Sequence, residues 1–425
     1  MQPETRSRFQ SPALIAVLFS SAAAFVIFVS HGVFGAETGE KPTLAKSYQD
    51  HFRVGVAINR TIAIGAAVQA NNVNRTLEQV KSDIAVAKEQ FNQISPENDL
   101  KWALIHPNEG KDGYDFGPAD AFVQFGIDNH QEIVGHTLVW HGQTPPWVFA
   151  GTHVSEAAKE TPAPENASRP APAPGRQRGF DPTQPHASRE ELLERMREHI
   201  HTVVGRYKGK IKVWDVVNEA LADGGPDVLR RSAWSEIIGP DFIAKAFEYA
   251  HEADPDAILR YNDYSLENPE KRKKLISLIK SLQEAKAPVM AIGTQTHISA
   301  TSPSYEELDR TITELASLGL PVHITELDIN TAERGQRNTG ADVANNAETT
   351  GGGQVEKALE RQAEQYVNLF KVCLKHKDSV KMITLWGVND GVSWRAAGKP
   401  LLFDASNQPK PAYDALIRLT AKPGN

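Results

Sequence analysis

A short apolar run of five to nine residues, followed by a stretch of helical period, recurs eight times along this chain. The runs are VGVAI (54–58), FNQIS (91–95), EIVGHTLVW (132–140), KVWDVVN (212–218), AILRYND (257–263), AIGTQTHI (291–298), PVHITELD (321–328) and KMITLWG (381–387). They are rich in β-branched residues and show little polar alternation, which marks strands buried on both faces of a parallel sheet. Between them lie amphipathic segments. Leu192, Met196, Ile200 and Val203 recur at helical spacing, and Ser188 with Glu191 forms a capping box ahead of them. Ser304 with Glu307 does the same for a helix over 305–318. Eight strand–helix units close most economically into a single (β/α)8 TIM barrel, an α/β fold. The competitor is a doubly wound open sheet. It calls for a glycine-rich phosphate turn after the first strand, and RTIAIGAAVQ matches that poorly.

A barrel gathers its functional groups at the carboxyl ends of the strands. There the sequence places Glu97–Asn98, His136 with Trp140 and His141, Asn218–Glu219, Asn262–Asp263, Gln295 with His297, Glu326 with Asp328, and Trp386. Polar and aromatic residues thus end seven of the eight runs. Two glutamates stand out. Glu219 closes the fourth run and Glu326 ends the seventh. A carboxylate is a costly ending for a buried run unless it faces a site. Alone, either reads as a helix cap or an arginine partner. Together, with the polar set around them, they suggest the acid pair that glycoside hydrolysis requires.

Other chemistries find little support. The net charge of −7 shows no basic bias toward nucleic acid. Cys373 is the single cysteine, so no intrachain disulfide forms, and its setting VNLFKVCLKH reads as the apolar face of a helix. His136 and His141 are five apart on a strand and point to opposite faces, so they do not chelate together. No catalytic metal or other cofactor is expected.

The N-terminus carries a targeting segment. Arg6 and Arg8 precede the apolar run 12–30, and small residues follow near Gly35–Ala36. Residues 1–36 read as a secretory signal peptide or a retained membrane anchor, and 37–46 as a linker. Either way the catalytic domain, 47–425, is expected outside the cytoplasm: secreted, periplasmic or at the cell surface. Two stretches interrupt the strand–helix pattern. Residues 151–186 are rich in Pro and Ala and are expected to be extended or disordered; 331–353 are polar and glycine-rich. Both follow strands and are expected over the active face.

Across residues 48–420 the chain resembles glycoside hydrolase family 10 endo-β-1,4-xylanases. The motifs that carry the resemblance are ISPENDLKW (94–102), GHTLVWHGQTPPW (135–147), WDVVNEAL (214–221), YNDYSLE (261–267), GTQTHI (293–298), ITELDI (324–329) and LWGVNDGVSW (385–394). The resemblance implies Glu219 as acid/base, Glu326 as nucleophile, and hydrolysis of xylan with retained configuration. It places Glu97, Asn98, Lys101, His136, Trp140, Gln143 and Gln295 on the non-reducing side of the cleft, and Tyr264 on the leaving-group side. Trp386 and Trp394 are implied as its roof, disfavouring a sugar with a CH2OH arm. Asn218 is expected to reach the sugar 2-hydroxyl. His297 is expected to bond Glu326, with Asp328 holding the imidazole. The expected partners are xylan and xylo-oligosaccharides, bound by a monomer. The rivals are a cellulase or mixed β-glucanase on the same barrel, and a non-catalytic carbohydrate-binding protein. The two insertions leave endo action against chain-end action open.

Overall fold

The protein, described as a computed structural model, is defined over residues 41–67, 75–153, 180–181, 184–331 and 352–421, with side chains from 354 in the last segment. Its strands are β1 Arg53–Ile58, β2 Gln93–Pro96, β3 Glu132–Trp140, β4 Ile211–Asn218, β5 Ile258–Asp263, β6 Ala291–Thr294, β7 His297–Ser299, β8 Val322–Asn330 and β9 Val380–Leu385. Every neighbouring pair is parallel. β6 pairs with β8, and β9 pairs back onto β1 with Val56 opposite Leu385, so the barrel closes.

One departure from the expected strands bears on the site. The run 291–298 is not one strand. It breaks at Gln295–Thr296, where Thr296 has a left-handed backbone (φ 59°). β6 lies beside Val322–Ile324, and β7 beside Asp328–Asn330 farther along the same strand. The backbone groups at the break stay paired. Gln295 N–H donates to the Asp263 carbonyl at 3.0 Å, and the Gln295 carbonyl accepts from Glu326 N–H at 3.1 Å. β6 and β7 therefore fill one barrel position, and the kink re-aims the residues at its end.

The helices cover the barrel as their spacing predicts. In Arg189–Arg206 the buried face includes Leu192, Met196, Ile200 and Val203, and the Ser188–Glu191 capping box is formed in both directions. Ser304 accepts from Glu307 N–H at the start of Tyr305–Ala316. Cys373 is fully buried, and burial pushes its thiol pKa up. The helix Leu44–Tyr48 begins inside the stretch read as a linker. Leu44 and Tyr48 are buried, and the Tyr48 hydroxyl donates to the Leu416 carbonyl at 2.8 Å. The compact unit accordingly begins at Pro42. The readings of residues 1–36, and of most of both insertions, lie outside the described residues.

The barrel interior is not uniformly apolar. A small cluster of Val134, Val213 and Met382 is separate from the main core. Beside it Asp215 accepts two bonds from Arg260, from Nε at 2.7 Å and Nη2 at 2.9 Å. Arg260 Nη1 lies 3.0 Å from His323 Nδ1, and His136 Nδ1 lies 3.0 Å from Asp215 Oδ2, the oxygen that also accepts from Arg260 Nη2. Burial would raise the Asp215 pKa, but the Arg260 charge and the His136 bond hold it at about 2. Burial, with Arg260 alongside, lowers His323 to about 3, so its neutral ring accepts from the guanidinium. Four strands are tied together by this buried group.

Candidate active site

Glu219 stands immediately beyond β4, and Glu326 is the central residue of β8. Both are buried, and each is held by groups that the neighbouring strands deliver. Trp140 Nε1, at the end of β3, donates to Glu219 Oε2 at 2.8 Å. Gln295 Nε2, at the β6–β7 break, donates to Glu219 Oε1 at 2.9 Å. Glu326 Oε1 accepts from Asn262 Nδ2 at 2.9 Å, and His297 Nε2 lies 3.2 Å from Glu326 Oε2.

The amides between the two carboxylates have a determined orientation. An ionised carboxylate only accepts, so the Asn262 nitrogen must face Glu326. Its second hydrogen goes to Asn218 Oδ1, at 2.9 Å. Thr325 Oγ1 donates to Asn262 Oδ1 at 2.7 Å, which agrees. Asn218 Oδ1 also lies 3.4 Å from Gln295 Nε2. The Asn218 oxygen is thereby occupied, while its amide nitrogen has no hydrogen bond among the described residues. A continuous chain runs from Glu219 through Gln295, Asn218 and Asn262 to Glu326. Gly293 makes room for it: a Cβ there would sit 2.4 Å from Asn262 Oδ1.

His297 is the charged member of the Glu326 side. Its Nδ1 is 2.9 Å from Asp328 Oδ2. Burial lowers the imidazole pKa, but Asp328 and then Glu326 outweigh it and hold it at about 9. Asp328 is fully buried. Burial raises its pKa, but His297 and Arg395 more than offset this, so the net shift is downward. Trp394 Nε1 donates to Asp328 Oδ2 at 3.0 Å, and Arg395 donates to the other oxygen.

The remaining expected residues fall around this centre. Lys101 Nζ donates to Asn98 Oδ1 at 2.9 Å and lies 5.1 Å from the Trp140 ring centroid. Burial lowers the Lys101 pKa, opposed by the charges of Glu326, Glu97 and Glu219. Burial raises the Glu97 pKa, opposed by Lys101. His136 meets the Trp386 ring edge to face at 5.3 Å, and Trp394 meets His297 likewise at 5.1 Å. Trp386 is buried, whereas Trp394 is 38% exposed. Tyr264 is buried, with its hydroxyl on Asp223 and Arg230. Gln143 is exposed, its backbone carbonyl accepts from Ala103 N–H at 2.8 Å, and no hydrogen bond among the described residues joins its side chain to the amide chain. Burial, with Arg230 nearby, lowers His141 to about 3, so this ring is neutral.

Sequence reasoning did not name Arg230, Asp215, Arg260 or the role of Asn262. Two of these left a signal. A charged residue within a run buried on both faces demands a partner, and Asp215 in KVWDVVN and Arg260 in AILRYND answer each other. Arg230 left none, because it sits in an irregular loop.

The sequence profile of Glycosyl hydrolase family 10 matches residues 54–419. A β-1,4-xylanase from Dictyoglomus thermophilum is 36% identical over 418 residues, 97% of this chain and 99% of that protein. A solved GH10 endoxylanase from a sugarcane soil metagenome superposes with a TM-score of 0.70 at 34% identity, covering 90% of this chain and all of that one. An intracellular xylanase of Thermoanaerobacterium saccharolyticum, solved as a variant with xylotetraose, gives 0.69 at 34% identity over 89% of this chain and 98% of that one. With that match over most of its length, the chain belongs to glycosyl hydrolase family 10.

Proposed function

We infer that this protein is a retaining endo-β-1,4-xylanase, with Glu219 as acid/base and Glu326 as nucleophile. The observation that carries the reading is the pair of buried carboxylates beyond β4 and in β8, joined by an oriented chain of amides. Glu326 attacks the anomeric carbon as the C–O bond breaks, and Glu219 gives its proton to the departing oxygen. Water then attacks the glycosyl–enzyme ester, Glu219 takes a proton from it, and Glu326 leaves as carboxylate. His297, cationic below about pH 9, steadies the charge that Glu326 carries before and after the covalent step. The free Asn218 nitrogen meets the sugar 2-hydroxyl beside Glu326, a bond that strengthens in the transition state. Xylan as substrate is supported by family membership and by the names of the similar proteins. Trp386 and Trp394 roof the cleft with indole faces suited to stacking on pyranose rings.

The roles separate by chemical rescue. With azide, Glu326→Ala should regain turnover and give a product of inverted configuration. Glu219→Ala should regain it with retention. The opposite stereochemical outcomes would exchange the two roles. Products from xylan, arabinoxylan, mixed-linkage glucan and carboxymethylcellulose, followed in time, separate the xylanase reading from the glucanase rival. Early release of mixed-length xylo-oligosaccharides marks endo action. Residues 1–36 are read as an export signal or anchor. Mature N-terminal sequencing of the exported protein decides between cleavage and retention.

A further inference from the structure

Glu219 has a left-handed backbone, with φ 57°. For a residue with a Cβ this conformation is unfavourable and persists only where the surroundings impose it. They do so through every peptide group nearby. Glu219 N–H donates to the Asn262 carbonyl at 2.9 Å, and Ala220 N–H to the Tyr261 hydroxyl at 3.1 Å. Leu221 N–H donates to Asp263 Oδ2 at 3.2 Å. The Glu219 carbonyl accepts from Arg230 Nε at 2.8 Å.

The chain brings Arg230 back for that purpose. Leu221 bridges Leu229, and Arg230 N–H donates to the Ala220 carbonyl at 2.8 Å. The far end of the same guanidinium, Nη2, donates to the Tyr264 hydroxyl at 2.8 Å. That hydroxyl donates to Asp223 Oδ1 at 2.5 Å, and Lys271 Nζ donates to the same oxygen at 2.9 Å. One rigid, planar fork thus spans the Glu219 peptide and an anchored phenol. A lysine ammonium cannot reproduce that geometry.

We propose that Arg230 is a positioning residue for the acid/base: it fixes the Glu219 peptide against Tyr264 and Asp223, and so fixes the direction in which the carboxyl delivers its proton. The carboxyl's own partners, Trp140 and Gln295, each bond one of its oxygens. The Arg230 hold acts on the peptide behind them. Arg230 would then matter in proportion to how much the departing oxygen needs that proton. The proposal rests on Glu219 being the acid/base.

The test uses the full chain and a series of aryl β-xylobiosides whose phenols differ only in acidity, so that all fill the leaving-group side alike. Glu219→Gln is the reference. Arg230→Lys should keep near-parent kcat/KM on the most acidic phenol and lose about tenfold or more on the least acidic, part of the 10²–10⁴ that general acid help provides. Tyr264→Phe should tilt the series in the same direction by less, and it carries the test if Arg230→Lys does not fold. A fall equal across the series, or no change, overturns the role of Arg230. A Glu219→Gln series with no tilt overturns the acid/base assignment itself, and the proposal with it.

Discussion

At the scale of single residues, the His297–Asp328 pair sets the chemistry on the Glu326 side. Two anions hold the imidazole at about 9, against an ordinary value of 6.5. A proton bound more tightly in the folded state stabilises the fold fully below the unfolded pKa, and that contribution is lost as pH rises through the folded value. The window here runs from about 6.5 to about 9, and the shift amounts to ~3 kcal/mol. Asp328→Asn removes the larger of the two attractions, so the His297 pKa should fall. The loss of stability with rising pH should then begin earlier than in the parent. An NMR titration of the His297 ring checks the shift directly; an unmoved ring would show that Asp328 does not hold the imidazole proton. The ion pair was legible from residue types at neighbouring strand ends. The orientation of the Asn262 and Asn218 amides was not. It depends on which atom of one amide faces a carboxylate across the barrel.

At the scale of elements, the strands do two different jobs along their length. Their carboxyl ends present the site, and their middles carry the Asp215–Arg260–His136–His323 network that locks β3, β4, β5 and β8 together. Removing one partner from a buried charge pair leaves the other uncompensated. Asp215→Asn should therefore destabilise the barrel by about 3–5 kcal/mol, read as a lower denaturant midpoint at unchanged slope. The acid side supplies a second readout. Asp215 is held at about 2, so its contribution is present above about pH 3.8 and lost as pH falls toward 2. That part of acid unfolding should be missing in the variant. A small effect at neutral pH would show that Arg260 finds water or another acceptor. The strands themselves were legible because their short β-branched runs recur between stretches of helical period. The break at Gln295–Thr296 was not, since TQTH reads as a continuing strand. Only the pairing of β7 with the far end of β8, and a left-handed threonine, reveal that Gln295 is turned toward Glu219.

At the scale of the whole molecule, the barrel was legible because eight repeats allow few closed solutions. The N-terminal edge was misplaced, because LAKSY is too short to show a period before Leu44 and Tyr48 are seen to pack. The Pro/Ala-rich insertion brings the last prediction. The chain leaves the barrel at His153 and returns at His186, and these two residues exchange both backbone bonds at 2.9 Å. The two ends of the insertion are therefore held together by described residues. Closing a loop costs about 0.6 kcal/mol per doubling of length, so a long insertion is cheap to carry and cheap to lose. Replacing 154–179 with a short Gly/Ser turn, with Phe180 kept against the His186 ring at 5.3 Å, should leave the melting temperature within a few degrees. The functional consequence follows from position. The segment departs after β3, which delivers His136 and Trp140, so any effect should fall on long or decorated xylan before it falls on a small aryl xyloside. Unfolding of the shortened chain would show that the insertion packs as core. An equal loss on both substrates, with folding intact, would place it within the catalytic centre.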